Sequence, residues 1–215
     1  MDDQETAKQF KDYMEKYLGL YEYVANKIKE KLSNISKPVI LDVGMGPGLL
    51  CLEIHKVLPN AKIFGLDSSI EMINLAKDHA LNNDFKSLKT LHSSAEIIPL
   101  EKSSVDCVVS RFSLPYWDDP KKVFFEINRV LKSNGFFFLE ALNKDFPSWK
   151  LKLVKFHMIL NKASRNVVKY HIDAYKICNN FEEVQSFLNK SGFDVIDFEG
   201  NSRDWKFFIS AKKTN

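Results

Sequence analysis

Val-Ile-Leu-Asp-Val-Gly-Met-Gly-Pro-Gly-Leu-Leu, residues 39–50, is the stretch whose reading decides the fold. The apolar run ending in Asp42 reads as a buried strand, and a helix-compatible segment starts directly after the third glycine. Three of the chain's eight glycines (Gly44, Gly46, Gly48) fall within five residues. Glycine is needed where the backbone turns with positive φ, or where a ligand presses against the chain with no Cβ in the way. A strand, a glycine turn and a helix N-terminus together make a nucleotide cradle at the carboxyl edge of a parallel sheet.

Outward from this stretch the same rhythm repeats. Residues 61–67 read as a second strand and 69–82 as a helix, with a weaker strand near 88–92. Residues 105–110 form a compact apolar strand, 120–132 carry helical periodicity, Asn134-Gly135 signals a turn, and 136–142 read as a strong buried strand. Strands separated by helical stretches imply right-handed crossovers and a doubly wound, mostly parallel α/β sheet with helices on both faces. After a helix at 180–190, two late strands (193–198 and 205–211) joined by a short link predict a final hairpin whose last strand is antiparallel. The expected organisation is one domain over 1–215. It comprises an N-terminal helical arm (1–37), bent near Gly19, a core (38–142), a helical cap insertion (145–177), and a C-terminal helix and hairpin (178–215).

Composition narrows the class. The chain has 215 residues, 45% hydrophobic and 27% charged, with a formal charge of +3. That is the make-up of an ordinary globular protein and carries no strong nucleic-acid signal. No apolar run approaches a membrane span, so no membrane partner is expected, and Met1-Asp2-Asp3-Gln4-Glu5 reads as too acidic for a secretion signal. Cys51, Cys107 and Cys178 are odd in number and lack CxxC spacing, which argues against a disulfide frame and a zinc site. No metal is expected, and a cytoplasmic location is. Oligomeric state is left open.

Asp67 ends the second strand about twenty residues beyond the glycines, where an adenosine-binding α/β fold places the carboxylate that takes both ribose hydroxyls. The alternative reading of Asp67-Ser68-Ser69 is a helix cap. Two further signals follow: Ser-Ala-Glu-Ile-Ile-Pro-Leu (94–100), then Asp-Asp-Pro-Lys-Lys-Val-Phe-Phe-Glu-Ile-Asn-Arg-Val-Leu-Lys-Ser-Asn-Gly (118–135). With 41–48 and 65–73, this ordered set resembles the seven-stranded, Rossmann-like S-adenosylmethionine-dependent methyltransferases. Within them it is most similar to the small-molecule group that includes ubiquinone and menaquinone biosynthesis enzymes. The resemblance implies S-adenosyl-L-methionine as cofactor, S-adenosyl-L-homocysteine as product and a small-molecule acceptor.

Residue roles follow from the resemblance. Gly44, Met45, Gly46 and Gly48 would lie against the methionine and ribose portion, with Asp42 near the α-amino group. Asp67 would bind the ribose, and Ser68 and Met72 would pack along the adenine, whose edge Ser94, Ala95 and Glu96 would approach. The family often carries Asp at the position of Ser94, and a serine hydroxyl accepts the same hydrogen bond more weakly. Ser110, Arg111 and Phe112 would stand beside the methionine moiety.

No catalytic residue is assigned. Candidates for the acceptor pocket are Tyr116 and Trp117, where many relatives carry histidines, and His157 and His171 in the insertion. Trp117 reads equally well as packing under the next helix. Tyr13, Tyr17, Tyr21 and Tyr23 either close over the cofactor or form a packed helix face. Lys150, Lys152, Lys155, Lys162, Arg165 and Lys169 read as the solvated face of a cap helix, or else as a surface for an anionic substrate or RNA. The functional alternatives are an RNA or protein methyltransferase, a cofactor-binding protein without turnover, and an NAD(P)-dependent oxidoreductase. The last fits less well, because its usual loop is G-x-G-x-x-G and this one is G-x-G-x-G.

Overall fold

A computed structural model describes residues 4–214; Met1–Asp3, part of the acidic start read above, lie outside the described residues. Seven strands form one sheet in the order β3-β2-β1-β4-β5-β7-β6. They are β1 (Val39–Val43), β2 (Lys62–Asp67), β3 (Lys89–His92), β4 (Val105–Arg111), β5 (Leu131–Leu142), β6 (Phe193–Glu199) and β7 (Lys206–Lys213). The first five run parallel, and β7 inserts antiparallel to both β5 and β6. This is the expected doubly wound sheet with an antiparallel final strand.

Each face of the sheet has its own apolar layer. On one face, α5 (Pro120–Val130) and α8 (Phe181–Lys190) bury Val123, Phe124, Ile127, Val184 and Leu188 against Val108, Phe137 and Leu139. On the other, α2 (Leu18–Lys31), α3 (Leu49–Val57) and α4 (Ile70–Asn82) cover Ile40, Cys107, Val109 and Phe138. β4 is buried at all seven positions, so its side chains alternate between the two layers rather than between core and water.

Chain order reverses between β1 and β4, which pair through Asp42↔Val109. At such a switch point the two crossovers leave in opposite directions, opening a crevice at the carboxyl edge. Above the crevice, α1 (Gln4–Met14) packs on α6 (Ser148–Leu160) and α7 (Arg165–Ile177) through a separate cluster of Tyr13, Met158, Val167 and Val168. Hydrogen bonds from Lys16 Nζ to the Asn161 carbonyl (2.8 Å) and from Asn166 Nδ2 to Thr6 Oγ1 (3.0 Å) tie arm to cap.

One local expectation is sharpened and another corrected. The arm breaks at a 3₁₀ turn, Glu15–Tyr17, just before Gly19, which lies inside the first turn of α2. The Asn134-Gly135 signal does not separate a helix from a strand: β5 already begins at Leu131. Asn134 takes a left-handed φ of 63° where the register with β4 shifts from Leu131↔Val105 to Phe136↔Cys107. The extra residues are absorbed as a bulge.

Phe137 is fully buried and meets the rings of Phe124 and Phe193 at 5.9 and 5.6 Å. Phe137→Ala is expected to cost about 3–5 kcal/mol in denaturant unfolding; a loss below about 1 kcal/mol would contradict this packing.

Candidate functional site

One cavity of about 690 Å³ occupies the crevice and extends under the arm and cap. Its floor is built by the loop after β1. Gly46 turns with φ 54°, and a Cβ placed there would meet nothing within 4 Å, so the loop leaves open space at its tip. The Gly46 N–H donates to Asp67 Oδ2 at 2.8 Å, and the Ser69 N–H donates to Asp67 Oδ1 at 2.9 Å. Ser69, not Asp67, caps α4, its hydroxyl accepting from the Met72 N–H at 3.3 Å. Asp67 is therefore not the N-cap of α4, and its carboxylate is held by backbone donors of Gly46, Ser68 and Ser69 beside the cavity.

Asp42 ends β1 on the cavity wall with its carboxylate buried, pushed up to about 7 from 3.8 chiefly by desolvation. The Cys51 thiol donates to Asp42 Oδ2 at 3.4 Å and opposes that rise. Burial likewise raises Asp67, against the pull of its backbone donors.

Arg111, at the end of β4, is the cation of the site. Its Nε donates to Glu140 on β5, which also accepts from Lys206. Its guanidinium carbon lies 4.0 Å from the centre of the Tyr21 ring and 4.9 Å from that of Phe112. The side chain is 5% exposed, and among the described residues Nη1 and Nη2 have no partner at hydrogen-bond geometry, although the guanidinium interacts with the Tyr21 side chain. Buried guanidinium donors without partners are costly, and Arg111 stands among the residues that line the cavity.

The roof is aromatic. Tyr116 stacks on Tyr170 at 4.9 Å, and Phe112 on Trp205 at 5.5 Å; Phe10, Tyr13 and Tyr17 close the arm side. Trp117 meets Phe124 of α5 edge-on at 5.6 Å and also lines the cavity. His171 faces the cavity beside Tyr175, and burial pushes it down to about 4, so its imidazole is neutral at physiological pH. His157 also lines the cavity, with Nε2 3.0 Å from Asn161 Nδ2.

Met45, Ser68, Met72, Ser94, Ala95 and Glu96 reach the cavity wall as the sequence predicts. Gly48 and Ser110 do not line it. Gly48 starts α3 with φ 77° and lies where a Cβ would sit 3.1 Å from Ala76, so it serves helix packing. Ser110 is fully buried, its hydroxyl 2.5 Å from Ser113 Oγ, which bonds the Val43 carbonyl at 3.2 Å. Tyr23 turns outward to Glu199. Tyr170 and Trp205 were not anticipated. The free donors of Arg111 were not anticipated either, although a cation closing an otherwise apolar strand was a visible signal. Among the described residues, no group of three or more His, Cys, Asp or Glu is placed to hold a metal, and no helix is long and apolar enough to cross a membrane.

A cradle at the switch point of this sheet, with one carboxylate at the end of β1 and another at the end of β2, defines an α/β enzyme that binds an adenosyl cofactor. Residues 41–139 match the family model of the methyltransferase domain. The demethylmenaquinone methyltransferase of Chlorobaculum tepidum is 30% identical over 194 residues, covering 84% of this chain and 77% of that one. The ubiquinone biosynthesis O-methyltransferase of Bartonella tribocorum is 27% identical over 158 residues, and this chain spans only 61% of its length. The crystal structure of an S-adenosylmethionine-dependent methyltransferase from Aquifex aeolicus superposes with a TM-score of 0.72 at 20% identity, covering both chains completely, and so shares the fold. The chain belongs to the S-adenosylmethionine-dependent methyltransferase family: it is an enzyme, and its cofactor is S-adenosylmethionine.

The raised pKa of Asp42 has a signed consequence for stability. A carboxyl held above its unfolded value adds stability that is full below about pH 4 and is lost as pH rises through about 7. Without ligand, the thermal midpoint of the wild type is expected to fall between pH 5 and 8 relative to that of Asp42→Asn. Parallel curves would contradict the buried, neutral-leaning Asp42.

Proposed function

We propose that this enzyme moves a methyl group from S-adenosylmethionine to a small aromatic or apolar acceptor held under the arm and cap. The observation that carries the reading is the charge pattern of the cavity floor. Asp42 faces the place of an ammonium, the free Nη atoms of Arg111 that of a carboxylate, and the Asp67 oxygens that of a ribose diol. These are the polar groups of the methionine and ribose ends of the cofactor. Met72, Ser94, Ala95 and Glu96 continue the wall on the side left for the adenine.

When bound, the cofactor supplies a methyl group on a sulfonium, already activated for in-line displacement. The protein's own part is therefore mostly positioning and exclusion of water. Tyr116, Trp117, Tyr170 and Trp205 supply flat apolar walls for the acceptor. For a hydroxyl acceptor, His157 and His171 are the imidazoles that line the cavity, and the burial that lowers His171 to about 4 keeps it neutral but makes it a weak base. The quinone-pathway names of the relatives support a ring-bearing small molecule as acceptor.

Three measurements test this. Calorimetry is expected to show binding of S-adenosylmethionine and none of NADH; the reverse would discard the reading. Asp67→Ala and Arg111→Ala are each expected to weaken cofactor binding by about 1–3 kcal/mol, the usual worth of a hydrogen bond to a charged group. An unchanged affinity in either variant would return that residue to a purely structural role. Transfer of labelled methyl into a metabolite extract is expected to mark a low-molecular-weight product, and label found only in RNA or protein would contradict the acceptor class.

A further inference from the structure

The outer face of the cap helix carries an apolar stripe that the described residues leave largely uncovered, with Leu153 alone of its four members also reaching the cavity. Trp149, Leu153, Phe156 and Leu160 of α6 are 62, 60, 61 and 64% exposed. Their spacing of four, three and four residues places them along one line of the helix, within an arc of about 60°. On the opposite side, Met158 is buried against the arm and Leu151 and Val154 pack inward. α6 is thus apolar on two faces and partnered on one. Single exposed apolar residues are ordinary, but a continuous row of four large ones on a surface helix marks a binding surface.

The charges beside the stripe say what covers it. Lys152 and Lys155 flank one edge of the row and Lys150 the other, with Lys162, Arg165 and Lys169 just beyond. From residue 146 to 172 there are six cations and no Asp or Glu. An apolar row holding a tryptophan and bordered by lysines on both sides is the pattern of a helix lying in the plane of a membrane interface: the row enters the acyl boundary and the ammonium groups stay at the headgroups. A protein partner matching this row would need a carboxylate for each flanking lysine, whereas an anionic bilayer supplies them all at once.

We infer that the outer face of α6 docks this enzyme on an anionic lipid surface. The absence of a membrane-spanning helix, from which the sequence reading expected no membrane partner, does not bear on a contact of this kind. The docking helix is also the roof of the cavity, since Val154, His157 and Met158 on its other sides line it and Leu153 reaches it from the stripe. An apolar acceptor dissolved in the bilayer then reaches the site beside α6 without crossing water. The lipid contact does not depend on the acceptor's identity, so its failure and that of the acceptor assignment are separable.

The test is cosedimentation of the full chain with vesicles of phosphatidylcholine and phosphatidylglycerol in equal parts, and with vesicles of phosphatidylcholine alone. The expected result is partition onto the anionic vesicles, weakened by salt, with a blue shift of tryptophan emission. The triple variant Trp149→Ser, Phe156→Ser, Leu160→Ser, at positions that do not line the cavity, is expected to lose about tenfold or more in partition. Its cofactor affinity by calorimetry should stay at the wild-type value. Lys152→Gln with Lys155→Gln is expected to weaken partition and flatten its salt dependence. No partition, or equal partition of the triple variant, overturns the inference. So does a wild-type dimer that the triple variant dissociates, because the stripe would then join two copies. Binding to a single-stranded RNA in place of vesicles, lost with the two lysines, would likewise reassign the surface and overturn it.

Discussion

A buried cation, a buried carboxylate and a half-buried one at one end of a parallel sheet are the constraint on which the rest of the structure depends. Arg111 is almost wholly removed from water, and among the described residues only its Nε has a partner at hydrogen-bond geometry. Removing an ion from water costs several kcal/mol even after relaxation, and a fold tolerates that where function needs the charge. Glu140 meets part of the cost by holding the guanidinium from below, and the rings of Tyr21 and Phe112 stack on it and fix its plane. What remains is a buried pair of donors at the edge of the cavity, near two carboxylates that burial pushes toward the neutral form. In the proposed binding mode a zwitterionic cofactor relieves all three at once.

The fold delivers this arrangement through register. Asp42 pairs with Val109 across β1 and β4, and Arg111 pairs with Glu140 across β4 and β5, so the charges rise in step along the carboxyl edge. The layer of Ile40, Val109 and Phe138 beneath them keeps that edge rigid. The roof is of a different kind. Arm and cap pack on each other through their own small cluster, and a second small cluster of Leu142, Leu151, Ala174 and Tyr175 ties the cap to the end of β5. Small clusters of this sort open at lower free energy than the main core, which suits elements that admit an acceptor.

Much of the floor was legible in the sequence, because local chemistry decides it. A turn with positive φ needs glycine, a strand ending at the cradle needs its carboxylate, and the spacing from Gly46 to Asp67 is set by one crossover helix. Even there the three glycines proved to do different work. Gly46 leaves room at the cavity, while Gly48 is required by its φ and by Ala76 of α4, a contact that only the folded helices create. Asn134-Gly135 read as a turn and became a bulge, because pairing with β4 on one side overrode the local preference. The roof was least legible. Tyr170 and Trp205 carry no local signature, and they meet Tyr116 and Phe112 only because the cap and the β6–β7 link fold over the same crevice. The lysines of the cap were visible, but the exposed row they border emerges only when the inward side of α6 is known.

The central claim is tested most directly by a crystal structure of this enzyme with S-adenosylhomocysteine bound. The account predicts both ribose hydroxyls on the Asp67 carboxylate, the ammonium at Asp42, and the carboxylate within hydrogen-bond distance of Arg111 Nη1 and Nη2. A bound product whose carboxylate faces away from Arg111, or whose ribose does not meet Asp67, would contradict it.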